Sequence, residues 1–255
     1  MTIGDWEQVP DGKMPTSELT FNDPNDFKDP NDLLGPSPPY EEAIRSTRRP
    51  DGPSRLRIFG ATWGGIDVTA EIQGMVTLDR SDKFETVTLN MHTIHTALLP
   101  DPAVNVIKTL TVLYQYDDDQ DPEMRLLNAT QFAPQINVCI TPTAHLEKAE
   151  CFPSFFTSLN GATWRDADGQ VEIIAVLYGT ERIQTPSVLD ELAQFFKGRR
   201  GQIRTTSSFF RTDPWLGVSK SWTVYFRLLN SATPTRVRCV TGMQDGALEV
   251  PWTRD

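Results

Sequence analysis

Cysteine is scarce in this chain of 255 residues: Cys139, Cys151 and Cys239 are its only three, far apart and without a CxxC spacing. That count supplies neither a disulfide framework nor a zinc site, and it fits a reducing compartment. Histidine is equally sparse, with His92, His95 and His145. No GxSxG, HExxH or glycine-rich phosphate loop occurs, so the sequence nominates no catalytic residue and no cofactor. No apolar run approaches the roughly 18 residues that a membrane-spanning helix needs. The N-terminus MTIGDWEQVPDGK has no basic start followed by an apolar stretch, so no secretory signal is read there and the cytoplasm is the expected location. Positive charge is also short. The net charge is -10 and the pI about 4.8, which argues against nucleic acid or an anionic membrane as partner.

What is plentiful is proline and acid at the N-terminal end. Met1 to Ser54 holds about half of the prolines and more than half of the excess negative charge. With few aliphatics and no sustained periodicity, residues 1–54 read as a disordered tail. DPND occurs twice, at Asp23 to Asp26 and Asp29 to Asp32, as successive turns. The apolar Phe27, Leu33 and Leu34 between and after them are candidate anchors for a partner. The segment GPSPPYEEAI, Gly35 to Ile44, is similar to the PPxY ligands of WW domains, although Ser37 stands where the first proline belongs. Pro36 and Pro39 have PxxP spacing, so Pro36, Pro38, Pro39 and Tyr40 are candidate contacts for a WW- or SH3-type domain. A solvated linker is the plainer reading.

Alternating bulky residues begin at Leu56. Strands are expected at Leu56 to Trp63, Val87 to Met91, Lys108 to Tyr116 and Met124 to Ala129, with a short helix near Asp67 to Val76 that Asp67 or Thr69 can cap. In Lys108 to Tyr116, Leu110, Val112, Tyr114 and Tyr116 share one face and threonines take part of the other. The second half repeats the order. Val171 to Gly179 reads as a strand, and Thr185 to Gly198 as a helix capped by Thr185 with Val188, Leu189, Leu192, Phe195 and Phe196 buried. Strands then follow at Gln202 to Phe209, Lys220 to Leu228 and Thr235 to Val240.

Comparison of the chain with itself carries the most information. DPAVNVIKTLTVLY from Asp101 aligns without a gap with DPWLGVSKSWTVYF from Asp213, and Ile58 to Gly64 aligns with Ile173 to Gly179. An internal duplication follows. The shared residues are architectural: Asp-Pro sets a loop, and Asp213 can pair with Lys220, or Asp101 with Lys108, as exposed pairs of about 0–1 kcal/mol.

The sequence of strand, WG or YG, DVT, then DP, K and VxY resembles the β-rich C-terminal domain of the DnaJ-homologue subfamily C member 11 proteins. Trp63-Gly64, Asp67-Val68-Thr69, Asp101-Pro102, Lys108 and Val112 to Tyr114 carry it in the first half. Tyr178-Gly179, Asp213-Pro214, Gly217, Lys220 and Val224 to Phe226 carry it in the second, which lacks DVT. No J domain and no His-Pro-Asp tripeptide is present, so Hsp70 stimulation does not transfer. The resemblance implies a β-sandwich-like interaction module without catalytic residues.

Several clusters invite chemistry and have plainer readings. His92 and His95 are three apart, on opposite sides of an extended strand, and no metal site is assigned. Asp117, Asp118, Asp119 and Asp121 read as a solvated turn rather than a calcium loop, since the EF-hand glycine and glutamate are missing. The basic KGRRGQIR, Lys197 to Arg204, follows a helix C-terminus, where cations are favoured. Trp215, in the second Asp-Pro loop, is either an anchor for a protein or sugar or folded back onto the sheets.

The expected fold is thus mainly β: two tandem related β-sandwich-like modules, 55–145 and 146–255, each with one short helix, after the tail. The expected function is a non-enzymatic protein-interaction or assembly module. A self-assembling homo-oligomer or polymer is the alternative, and a lectin-like glycan binder using Trp63 or Trp215 is another.

Overall fold

The structure is a computed structural model that describes residues 53–98, 106–117, 123–131, 137–144, 155–159, 161–199 and 201–248. It is mainly β, as the alternation predicts. The first strands are β1 (Arg55–Trp63) and β2 (Ile66–Asp67), then a helix Thr69–Gly74, β3 (Thr77–Leu78), β4 (Glu85–Asn90) and a helical turn Ile94–Ala97. Next come β5 (Thr109–Asp117), β6 (Met124–Thr130), β7 (Asn137–Ile140), β8 (Phe155–Ser158), β9 (Trp164–Arg165), β10 (Val171–Tyr178) and β11 (Glu181–Arg182). The helix Pro186–Phe196 leads to β12 (Ile203–Arg204), a helical turn Ser207–Phe210, β13 (Ser221–Leu228), β14 (Arg238–Met243) and β15 (Ala247–Leu248). Among the described residues no helix is long and apolar enough to cross a membrane.

Two antiparallel sheets dominate, ordered β2-β1-β5-β6-β8 and β11-β10-β13-β14, the latter with β9 also on β10. Their registers repeat. Trp63 pairs Leu110 as Tyr178 pairs Trp222, and the single register shift falls between Ile58 and Gly60 in one sheet and Ile173 and Ala175 in the other. Tyr114 opposite Arg125 corresponds to Phe226 opposite Arg238. Even the hairpin turns match: Gly64 N–H donates to Thr109 O at 3.1 Å, and Gly179 N–H to Ser221 O at 2.9 Å. β8, C-terminal to residue 146, completes the first sheet rather than the second.

Alternation along the strands places three apolar layers. On one face of the first sheet, Leu110, Val112, Tyr114 and Tyr116 pack with Trp63 under Ile72 of the short helix and under Val87, Leu89, Val138 and Ile140 of the small sheet β3-β4-β7. On one face of the second, Val176, Val224 and Phe226 meet Val188, Leu192 and Phe196 of the long helix, with the Phe196 and Phe226 rings stacked at 3.8 Å. The remaining faces meet each other through Leu113, Leu126, Ile174, Leu177 and Tyr225. Towards one end this middle layer turns polar: Thr62 and Thr223 hydroxyls lie 2.8 Å apart, and Thr109 and Ser221 hydroxyls 2.7 Å apart, all buried.

Close backbone approach explains two glycines. A Cβ on Gly60 would lie 2.8 Å from Tyr225 Cε1, whose ring covers the register shift. Gly65, at φ +87°, presses on Gly242, whose carbonyl carbon would be 2.8 Å from a Cβ there.

Three local expectations are corrected. Gln202 to Phe209 is not one strand: only Ile203–Arg204 is paired as one, because Thr206 Oγ1 accepts from Phe209 N–H at 3.2 Å and starts a helical turn that buries Phe210. Thr185 stands at the start of the long helix, but its side chain makes no capping bond; its carbonyl accepts from Val188 N–H instead. The residue at the start of the short helix is Val68, and Asp67 Oδ1 accepts from Thr69 N–H at 2.9 Å as a local turn. The nominated tail lies outside the described residues, apart from its last two positions.

Candidate functional site

A lysine opens the central strand of each sheet, and both are buried. Lys108 Nζ donates to Val106 O at 2.9 Å, and Lys220 Nζ to Val218 O at 2.6 Å, the same bond in both halves. Asp213 Oδ1 lies 2.6 Å from Lys220 Nζ, Gln244 Oε1 accepts at 3.4 Å, and the Tyr178 ring centroid is 5.6 Å away. The expected Asp213–Lys220 pair therefore forms, but its lysine is buried: the Lys220 side chain is 1 % exposed and meets Val218 O, Gln244 Oε1 and the carboxylate of Asp213, which itself stays in contact with solvent. Asp101 lies outside the described residues.

Around this pair runs a short polar chain. The hydroxyls of Tyr178 and Ser207 lie 2.7 Å apart, and Ser207 donates to Asp213 Oδ2 at 3.4 Å. Burial raises the Tyr178 hydroxyl above its usual range, while the hydrogen bond from Lys220 holds the Asp213 carboxyl below its own. A carboxylate made less basic is a poor proton acceptor for Ser207, and no histidine adjoins it. The chemistry suited to this arrangement is bracing: it fixes the Asp213–Val218 loop to the entry of β13.

A second network, missed in the sequence, closes the β9–β10 turn. Lys197 Nζ bridges Asp166 Oδ2 at 2.7 Å and Asp168 Oδ2 at 3.1 Å, and Arg199 reaches Asp168 at 2.7 Å. Asp166 Oδ1 also accepts from the Gln170 and Val171 amides, both at 2.8 Å. Burial works against ionisation of Asp166, but Lys197 and the two amides outweigh it and the carboxyl stays below its ordinary range. The signal was Asp166-Ala-Asp168-Gly169 before a strand. Its partners come from the basic stretch Lys197 to Arg204, so two of those cations are already engaged. Beside it, Glu172 in β10 takes Arg165 at 3.0 Å and Arg227 at 2.9 Å.

The nominated aromatics separate. Trp63 is fully buried against the first sheet, so it offers no face to a glycan or partner. Trp215 is half-buried, and the next residue, Leu216, is the most exposed large apolar side chain described, at 89 %. Pro36, Pro38, Pro39 and Tyr40 lie outside the described residues, as do Asp118, Asp119 and Asp121. His92 is exposed and its amide is bound by Asn90 Oδ1 at 3.0 Å. Among the described residues no group of three or more His, Cys, Asp or Glu is placed to hold a metal ion.

Two grooves flank the contact between the sheets. One, of about 350 Å³, lies by Trp164, Ile174, Arg182 and Leu189. The other, of about 330 Å³, lies between Phe59, Asp67 and Thr69 on one wall and Arg236 to Cys239 on the other.

Compared with known proteins, the chain matches no family model, no curated protein and no solved structure.

Proposed function

We propose that the chain is a non-enzymatic interaction module whose paired sheets form a rigid surface and whose N-terminal tail supplies short linear motifs. The observation that carries this reading is the Trp215–Leu216 loop. Leu216 projects almost wholly into solvent, yet the loop beneath it is held by the Asp213–Lys220 pair and by Val218 N–H donating to Trp215 O at 3.0 Å. A fixed apolar prong costs little ordering entropy on docking, which is what a protein anchor requires. In the same reading, Pro36, Pro38, Pro39 and Tyr40 engage a WW- or SH3-type domain. The two sheets are diverged copies of one duplicated module, of the kind the DnaJ-homologue subfamily C member 11 resemblance implies.

The test compares the full chain with Leu216→Asp, using proteins retained from extract on the immobilised chain and solution mass by light scattering. Leu78→Asp, at another half-exposed leucine, serves as the control. A partner kept by wild type and the control but lost from Leu216→Asp supports the reading. A mass that falls only in Leu216→Asp redirects it to homo-assembly through the same prong. Identical retention and mass in all three proteins would remove the prong as an anchor and the reading with it.

A further inference from the structure

The outer edge of β10 is covered at both ends but not between them. β9 pairs with Glu172 and Ile173, and β11 with Leu177 and Tyr178, while Ile174 to Val176 line the groove of about 350 Å³. In the first sheet the equivalent backbone is satisfied by its own chain. Ala61 pairs Val112 as Val176 pairs Val224, so both turn their amide and carbonyl outward. Each carbonyl is taken, Ala61 O by Val68 N–H at 2.9 Å and Val176 O by Ile183 N–H at 2.8 Å. The amides differ. Ala61 N–H donates to Thr69 Oγ1 at 2.9 Å. The counterpart of Thr69 is Gln184, an exposed residue, and among the described residues no acceptor meets Val176 N–H.

Arg182 lines the same groove, at the position that Asp67 takes in the first sheet. It is half-buried and donates to Ala162 O at 2.9 Å, and among the described residues that carbonyl is the only partner of its guanidinium. The neighbouring carboxylate, Glu181, accepts from the Thr212 hydroxyl instead. Burial pulls the Arg182 guanidinium below its ordinary value, as befits a cation that has lost water without gaining a counter-ion. Most of the remaining lining is apolar, with Trp164, Ile174, Ile183 and Leu189. A cation with spare N–H donors beside an open backbone N–H suits an anion with two acceptor oxygens, and the apolar walls suit a hydrocarbon body attached to it. Because β9 and β11 close the edge on either side, an extended peptide has no room to add there as a strand, and the occupant is a small molecule.

We propose that this groove binds a small monocarboxylate with an aromatic or aliphatic body, the carboxylate between the Arg182 guanidinium and Val176 N–H and the body against Trp164, Ile174 and Leu189. Its volume of about 350 Å³ lies at the lower end for small-molecule pockets, roughly 300–1,000 Å³. The site goes beyond the docking through Leu216 and requires no partner protein.

Phenylbutyrate titrated into the purified full chain, followed by calorimetry and ligand-observed NMR, tests this independently of the Leu216 experiment. Wild type is expected to bind it with a Kd of about 1 mM or tighter, the range for a ligand of this size. The uncharged phenylbutyramide should bind at least about tenfold more weakly, the scale of a lost charge-assisted hydrogen bond. Arg182→Met should weaken the carboxylate by a similar factor and leave the amide unchanged. Ala162→Phe, at an exposed lining position, blocks the groove with the cation in place and should abolish binding of both compounds. That second variant decides the matter even where Arg182→Met folds poorly. Absence of binding to wild type overturns the proposal. So does equal affinity for acid and amide, and so does wild-type affinity for phenylbutyrate in either variant.

Discussion

Thr109 and Ser221 place their hydroxyl oxygens 2.7 Å apart in the buried middle layer, and each is the residue directly after the buried lysine of its own half. The contact therefore joins equivalent positions, as in a two-fold interface between identical subunits. Other contacts come in reciprocal sets: the Gly64–Gly65 turn rests on Gly242 of β14, and the Gly179 carbonyl accepts from Asn128 Nδ2 of β6 at 3.1 Å.

Removing one hydroxyl of that pair leaves the other buried without its partner. Thr109→Val and Ser221→Ala are each expected to cost about 1–3 kcal/mol in urea unfolding, with the double variant costing clearly less than their sum. Strict additivity would mean that the two hydroxyls do not interact.

Lys220→Met removes the buried cation and its bond to Val218 O, leaves the exposed Asp213 to solvent, and unties the loop under Leu216. The thermal midpoint should fall by several degrees, roughly 3–6 °C, since only the lysine half of the pair is buried. Asp213→Asn, which keeps an oxygen acceptor beside the lysine, should fall less. Equal losses would place the stabilisation elsewhere than in the pair.

Acid should destabilise the folded chain through a defined set of carboxylates. Asp166, Asp168, Glu172 and Asp213 all titrate below their ordinary values when folded, and Asp79, bound by the Ser81 side chain and nearby amides, is lowered to about 2. A depressed folded pKa means that the unfolded chain binds more protons in the intervening range. This stabilisation is complete above the unfolded values, near pH 4, and fades as pH falls below them. Melting from pH 7 to pH 3 should show a flat region and then a decline, and Asp166→Asn should melt lower at pH 7 with a shallower decline. A midpoint that rises on acidification would contradict these assignments.

Glycine replacement separates backbone strain from crowding. Gly65→Ala meets both, a positive φ and backbone atoms of Gly242 that cannot swing aside, whereas Gly161→Ala at φ +65° meets open space. The first should destabilise by at least about 2 kcal/mol and the second by about 1–2 kcal/mol in urea unfolding.

The central strands were legible as short runs rich in leucine, β-branched and aromatic residues bounded by turns, since both of their faces are packed, and the long helix by its stripe of period 3.6. The second Asp-Pro loop was legible because bonds such as Lys220 to Val218 O require a lysine at a fixed spacing. Burial was harder to read. Lys220 looks like a surface residue by type and Trp63 was nominated for binding, but the burial of both depends on layers brought from distant parts of the chain: the β3-β4-β7 sheet over Trp63, and Asp213 with Gln244 around Lys220. β8 was missed as a member of the first sheet for the same reason, since nothing local in Phe155–Ser158 names β6 as its neighbour. Gln202 to Phe209 failed through side-chain chemistry, where Thr206 offers the backbone a better acceptor than extension does.

The reciprocal packing of the two sheets has a consequence for how the protein can change. A true dimer must alter both subunits whenever it alters one, but here each surface exists twice under separate sequence control. Among the described residues, the strand alongside β6 has no counterpart alongside β14. Thr109 and Ser221 are the exception: they face each other, so a change at either is felt by both halves. Freedom to diverge should therefore be least at that seam and grow with distance from it.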